Sequence, residues 1–151
     1  MAAYVATVLA MLALDALWLG VLAPALYQKG IGHLMAAEPW WPAAVLFYVI
    51  YAWGLQVFVI APGGALATWP LTRWRAAAFG LCAYATYDLS NLATLRDWPV
   101  WLSGLDIAWG CLLSVAAAAA GRAASERFSR DPSRDPSRRS SGDSSNDPSR
   151  G

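Results

Sequence analysis

Three aspartates, Asp15, Asp88 and Asp106, stand in otherwise apolar surroundings. Carboxyls so placed can do three kinds of work. Close together in a low-dielectric setting, they hold a proton or a cation and exchange one for the other. One of them could act as a general base toward a lipid or isoprenoid, with Tyr87 or His33 as its partner. Protonated, they can instead hydrogen-bond across helices and hold a bundle together, at about 0.6 kcal/mol per average contact. A carboxyl-bearing residue near the centre of a membrane helix costs on the order of 2.5–3.5 kcal/mol, against a gain of about 0.3–0.6 for each Leu or Ile. The three side chains are therefore expected to face an interior.

Helical spacing supplies their neighbours. Tyr84, Tyr87, Asp88 and Asn91 fall at i, i+3, i+4 and i+7 and share one face. Ser103, Asp106 and Gly110 share another, flanked by Trp109. Tyr4, Met11, Asp15 and Trp18 align on a third, and Tyr48 and Tyr51 form a weaker stripe. The candidate polar cluster is thus Asp15, Tyr84, Tyr87, Asp88, Asn91 and Asp106, flanked by Trp18, Lys29, His33 and Trp109. Lys29 could pair with an anionic headgroup. His33 is the single histidine, which leaves a metal set short of its usual ligand, and no metal or cofactor is assigned. No phosphate-binding loop, dinucleotide fingerprint or Ser-His-Asp order is present, and Cys82 and Cys111 lack the spacing of a zinc or redox pair. Leu14-Asp15-Ala16-Leu17-Trp18 echoes Leu105-Asp106-Ile107-Ala108-Trp109, a hint of inverted pseudo-symmetry resting on five positions.

The elements that would carry these residues are membrane helices. The chain is 58% hydrophobic and 14% charged, far from the roughly one-quarter charge of soluble domains. Apolar stretches at about 2–23, 42–61, 76–95 and 100–120 each approach the roughly 20 residues that cross a bilayer. They lack the alternation of barrel strands, and an open strand would leave amides unpaired in lipid. Trp40, Trp41, Trp69, Trp74, Trp98 and Trp101 fall at segment ends, where indole prefers the headgroup region, and Pro24, Pro42, Pro62, Pro70 and Pro99 punctuate the same places. The expected fold is all-α: a four-helix integral membrane bundle over 1–120 and a disordered polar tail over 121–151. The tail repeats Asp-Pro-Ser-Arg and lacks the apolar surface to offset ordering. Segment 1–25 reads as a span rather than a cleaved signal, because no basic residue precedes it and Asp15 interrupts it.

Four spans put both termini and the 62–75 connection on one side, with Arg73, Arg75 and the tail arginines, against Lys29 and Arg96 on the other. The positive-inside bias places the termini in the cytoplasm, in a bacterial inner membrane. At 1.5 Å per residue all three aspartates then lie roughly 9–12 Å below the outer boundary. The expected partners are the bilayer, a lipid-like or cationic ligand and a second copy in a homodimer; a net charge of +1 offers no field for nucleic acid.

The runs Leu14–Gly20, Tyr27–Leu34, Phe47-Tyr48, Tyr84–Leu95 and Asp106–Gly110 together resemble the predicted bacterial membrane-protein family catalogued as domain of unknown function twenty-one seventy-seven. The resemblance covers about residues 4–118, its most specific part being Tyr84-Ala85-Thr86-Tyr87-Asp88-Leu89-Ser90-Asn91. Ser90 stands where the family usually has Thr, and the arginine-rich tail departs from the pattern. The resemblance implies a four-helix membrane protein and brings no reaction with it. It also associates the chain with lipid-modifying genes, which points to an accessory role in membrane or lipid metabolism. A small proton- or cation-coupled transporter and a membrane enzyme on a lipid-like substrate are the alternatives.

Overall fold

The computed structural model describes residues 1–62 and 68–129. Helix α1 (Ala2–Leu17) continues into a π turn over Trp18–Leu22, and Pro24 opens the short helix α2 (Pro24–Ile31), followed by a 3₁₀ turn at Gly32–Leu34. Helix α3 (Trp41–Leu55) likewise ends in a π turn, Gln56–Ile60. Helix α4 (Trp69–Thr94) and helix α5 (Val100–Ser129) complete the chain. Proline sits in the first turn of α2, α3 and α4, where a missing N–H costs nothing and the fixed φ suits a helix start. Thr68 caps α4 by accepting from Leu71 N–H at 3.4 Å. Between α4 and α5, Asp97 adopts φ 59°, a left-handed conformation that Asp tolerates better than most residues.

Among the described residues three helices are long and apolar enough to cross a membrane: Ala2–Leu22, Trp41–Ile60 and Val100–Ser129. The fourth expected span is also a helix, but α4 starts at Trp69 rather than 76 and carries Arg73, Arg75 and Asp88, so its apolarity is lower. Two other expectations need correction. The polar tail does not begin at 121: α5 runs on to Ser129, and the remainder of the expected tail lies outside the described residues. The connection from Pro24 to Trp41, read as an ordinary loop, is helical over its first half and packs against α5, with Gly30 set among Pro99, Trp101 and Leu102.

Helix α5 is the axis of the bundle, packed along α4 and α1. Its buried face is made of small residues, Gly110, Ser114, Ala117, Ala118 and Gly121, with Leu113 among them. Small side chains let helix backbones approach closely, the main source of association energy where lipid is as apolar as leucine. Between α4 and α5 the approach is close at two glycines. A Cβ on Gly80 of α4 would strike the Gly110 carbonyl and the Ser114 hydroxyl, and one on Gly110 would strike the Tyr84 ring. Around this seam Met11, Leu55, Val59, Ala76 and Leu113 form the core. A smaller core of Ile31, Trp98 and Leu102 lies at the α2 end. Trp98 is thus no interfacial anchor: it is 7% exposed and donates from Nε1 to Ser103 Oγ at 2.9 Å.

Helix α3 packs differently. Its backbone lies close to α1 along the body and close to α4 and α5 chiefly at the terminal π turn, while from the body Tyr51 reaches Phe79 and Tyr84 of α4 and Ser114 of α5. Towards the α2 end the α3 and α4 backbones draw apart.

Gly80→Ala should lower stability by about 1–3 kcal/mol, because the obstruction is backbone and cannot rotate away. Gly104→Ala, with no atom within 4 Å of the new methyl, should be neutral or slightly stabilising. Thermal unfolding of the two variants in detergent tests this, and equal behaviour would remove the seam from its organising role.

Candidate functional site

The three aspartates are all interior: Asp15 is 5% exposed, Asp88 0% and Asp106 2%. They do not share one set of partners. Asp15, on α1, accepts a hydrogen bond from Trp109 Nε1 of α5 at 3.1 Å. The Trp109 ring lies flat on Trp18, with centroids 4.4 Å apart and planes 9° from parallel. The π turn that starts at Trp18 closes through a 2.7 Å bond from Ala23 N–H to the Trp18 carbonyl, ending α1 at the level of this stack. Such wide turns recur at functional positions in helices.

Asp106, three positions before Trp109 on α5, takes a different donor. Tyr27 of α2 reaches in and donates its phenol to Oδ1 at 2.5 Å. Burial, reinforced by the Asp106 carboxyl, pushes the Tyr27 phenol above its usual range, so it remains a donor. Asp88 has neither arrangement. Both of its oxygens are buried without a hydrogen-bond partner; Asp106 and Ser103 face it, and the Ser103 hydroxyl receives the Trp98 N–H. Tyr87 stands beside it, 52% exposed and edge-on to Trp98 at 5.9 Å, and the half-buried Asn91 interacts with Tyr87.

Beside Asp15 is a cavity of about 230 Å³ lined by Asp15, Trp18, Tyr27, Tyr48, Tyr84 and Trp109 together with Phe47. Phe47 also lines two further hollows in the α3–α4 gap, of about 440 and 380 Å³. Tyr84 joins the first cavity to the second, and Tyr51 and Ala83 join the second to the third. The third is bounded by Ile50, Trp53, Phe58 and Phe79. Through these shared side chains the three hollows adjoin one another along a groove between α3 and α4, with a carboxyl at one end and only apolar surface at the other. From Phe47 to Phe58 along α3 it runs about 16 Å, roughly half the hydrocarbon thickness.

Of the sequence-derived candidates, Asp15, Trp18, Tyr84, Tyr87 and Trp109 line this groove, whereas Asp88 faces Asp106, which is bonded to Tyr27, and Asn91 meets Tyr87. Lys29 and His33 are exposed on the α2 segment and do not line the groove. Among the described residues no three of His, Cys, Asp and Glu gather as a metal-binding set. Tyr27 and Phe47 entered the sequence reading only as part of the family resemblance and not as site residues, and Ala83 did not enter it. Pro24 at a helix start was the one signal that could have turned the loop into a helix and set Tyr27 on an inward face.

Asp88 suggests a direct measurement. An unpartnered buried carboxyl bears its full desolvation cost, so Asp88→Asn, which brings donors toward Asp106 and Ser103, should leave stability unchanged or raise it by on the order of 1 kcal/mol. A loss of more than about 2 kcal/mol on thermal unfolding would mean that the carboxyl supports the bundle.

No curated protein and no solved structure matches the chain. One family model does, over residues 1–123, which takes in every helix described here up to the last turns of α5. The chain belongs to the family described as Predicted membrane protein (DUF2177).

Proposed function

We propose that this membrane protein binds a single amphiphile from the surrounding bilayer, which enters sideways between α3 and α4. The observation that carries the reading is the row of adjoining hollows: Asp15 and tyrosine side chains at one end, and Phe47, Ile50, Trp53, Phe58 and Phe79 along the rest. A site that is mostly apolar with few convergent polar groups is the usual form of a small-ligand site. The gap faces lipid because neighbouring α3 side chains, Val45, Leu46 and Val49, are exposed on an apolar helix.

A conducting pathway fits less well. In the half of the bundle away from α2, the buried Thr7 and Ser114 hydroxyls donate to carbonyls four residues back, Ala3 at 2.9 Å and Gly110 at 2.6 Å. Tyr51 then donates to Ser114 at 2.7 Å. These groups are used up within the protein and leave no polar ladder toward the far side. We place the α2 end on the periplasmic side of a bacterial inner membrane, since Arg73, Arg75, Arg122 and Arg127 mark the opposite end. Arg122 there sits over the Trp69 ring at 4.6 Å and bridges to Glu126 at 2.8 Å.

Two measurements follow. Ala83→Trp, which fills the groove where two hollows meet, should abolish retention of co-purified lipid in native mass spectrometry while the fold survives; retained lipid would remove the groove from the mechanism. In a background lacking Cys82 and Cys111, cysteine at the exposed Glu38 should be labelled by an impermeant maleimide only from the periplasmic side. Labelling from the cytoplasm would invert the topology.

A further inference from the structure

Resting on that reading, we infer that the groove selects an amphiphile with a cationic, ammonium-bearing headgroup. The polar end of the groove holds one carboxyl, Asp15, and a wall of Trp18, Trp109, Tyr27, Tyr48 and Tyr84. Among the described residues, none that lines it carries positive charge. Indole and phenol faces attract cations through the ring quadrupole, more strongly when water is excluded, and aromatic cages with a carboxylate are the recurrent solution for substituted ammonium groups. An anionic headgroup would instead meet Asp15 with no countercharge, and Lys29, the nearest cation in sequence, is exposed outside the cavity.

Two lining donors are already used: Trp109 N–H is spent on Asp15 and the Tyr27 phenol on Asp106, so they are turned away from a phosphate oxygen, while Trp18 Nε1 is left without a partner. At about 230 Å³ the cavity lies below the roughly 300–1,000 Å³ of drug-sized sites, which suits a small headgroup. The ammonium sits against Asp15 and the aromatic faces, and the chain runs past Phe47 toward Phe79.

The test is competitive retention in native mass spectrometry of the full chain in maltoside micelles. The probes are dodecyltrimethylammonium, dodecylammonium, dodecyl phosphate, dodecanol and tetramethylammonium. The expected result is retention of one alkylammonium at least tenfold above dodecyl phosphate and dodecanol. Asp15→Asn should reduce that preference about tenfold, whereas Glu38→Gln, at an exposed site, should not. Preference for the trimethylated probe would indicate recognition by the rings, and for the primary amine by hydrogen bonding; either supports the inference. Dodecanol or dodecyl phosphate retained as well as the alkylammonium overturns the headgroup inference and leaves the groove intact. Retention of no dodecyl probe overturns the groove reading itself, and tetramethylammonium bound as tightly as its dodecyl counterpart overturns the membrane source. Should Asp15→Asn fail to fold, the parent's preference among the four dodecyl probes decides the matter alone.

Discussion

At membrane depth a polar group has no water to fall back on, so every buried donor and acceptor must be answered from within the bundle. The architecture follows from how three carboxyls meet that demand. Asp15 is answered by an indole N–H from α5, and Asp106 by a phenol from α2. Each contact ties a different helix to α5, which must therefore be central, and its small-residue face allows it to be. Asp88 is left unanswered against Asp106 and Ser103. A fold selected for stability alone would not keep that residue, since an apolar side chain of similar size would remove the cost.

The echo between the first and last spans acquires a physical meaning here. Trp18 and Trp109, the last residues of the two similar pentads, stack face to face. Perfect symmetry would have each indole donate to the other pentad's aspartate. Only one does: Trp109 bonds Asp15, while Trp18 Nε1 is buried without a partner and Asp106 belongs to Tyr27. The asymmetry comes from α2, which inserts a phenol on one side of the pair. What remains on the other side is the aromatic cavity next to Asp15.

Much of this was legible in the sequence, and the boundary is instructive. The price of intramembrane charge predicts that Asp15, Asp88 and Asp106 are interior, and all three are. Helical spacing puts Asp88 beside Tyr87, as found. Periodicity cannot say which helix answers a given carboxyl: Tyr27 and Asp106 are 79 residues apart, and Trp109 and Asp15 are 94 apart. Nor could it reveal the α3–α4 gap, which is a consequence of what packs elsewhere. Gly80 against Gly110 draws α4 onto α5, and α3 reaches that pair through Tyr51, Gly54 and its terminal π turn while the rest of its body packs on α1. The end of α5 was misplaced for a related reason. Alanine-rich helix propensity carries through Gly121, and the Arg122–Glu126 pair supports the following turn, so the change in composition at 121 is not a change in conformation.

The gap between α3 and α4 also bears on the choice between a path and a pocket that the proposed function makes. A transporter that alternates its access needs polar groups on both sides of its site. Here the Thr7 and Ser114 hydroxyls below the Asp15 level are committed to carbonyls of their own helices, and Leu55, Leu113 and Met11 pack among them. The opening is lateral, between two helices whose lining is aromatic. Aromatic side chains order at low entropic cost and present the same faces whether or not a chain lies between them. A groove of that kind can remain formed while exchanging occupants with the bilayer, and its selectivity then rests on the single carboxyl at its polar end.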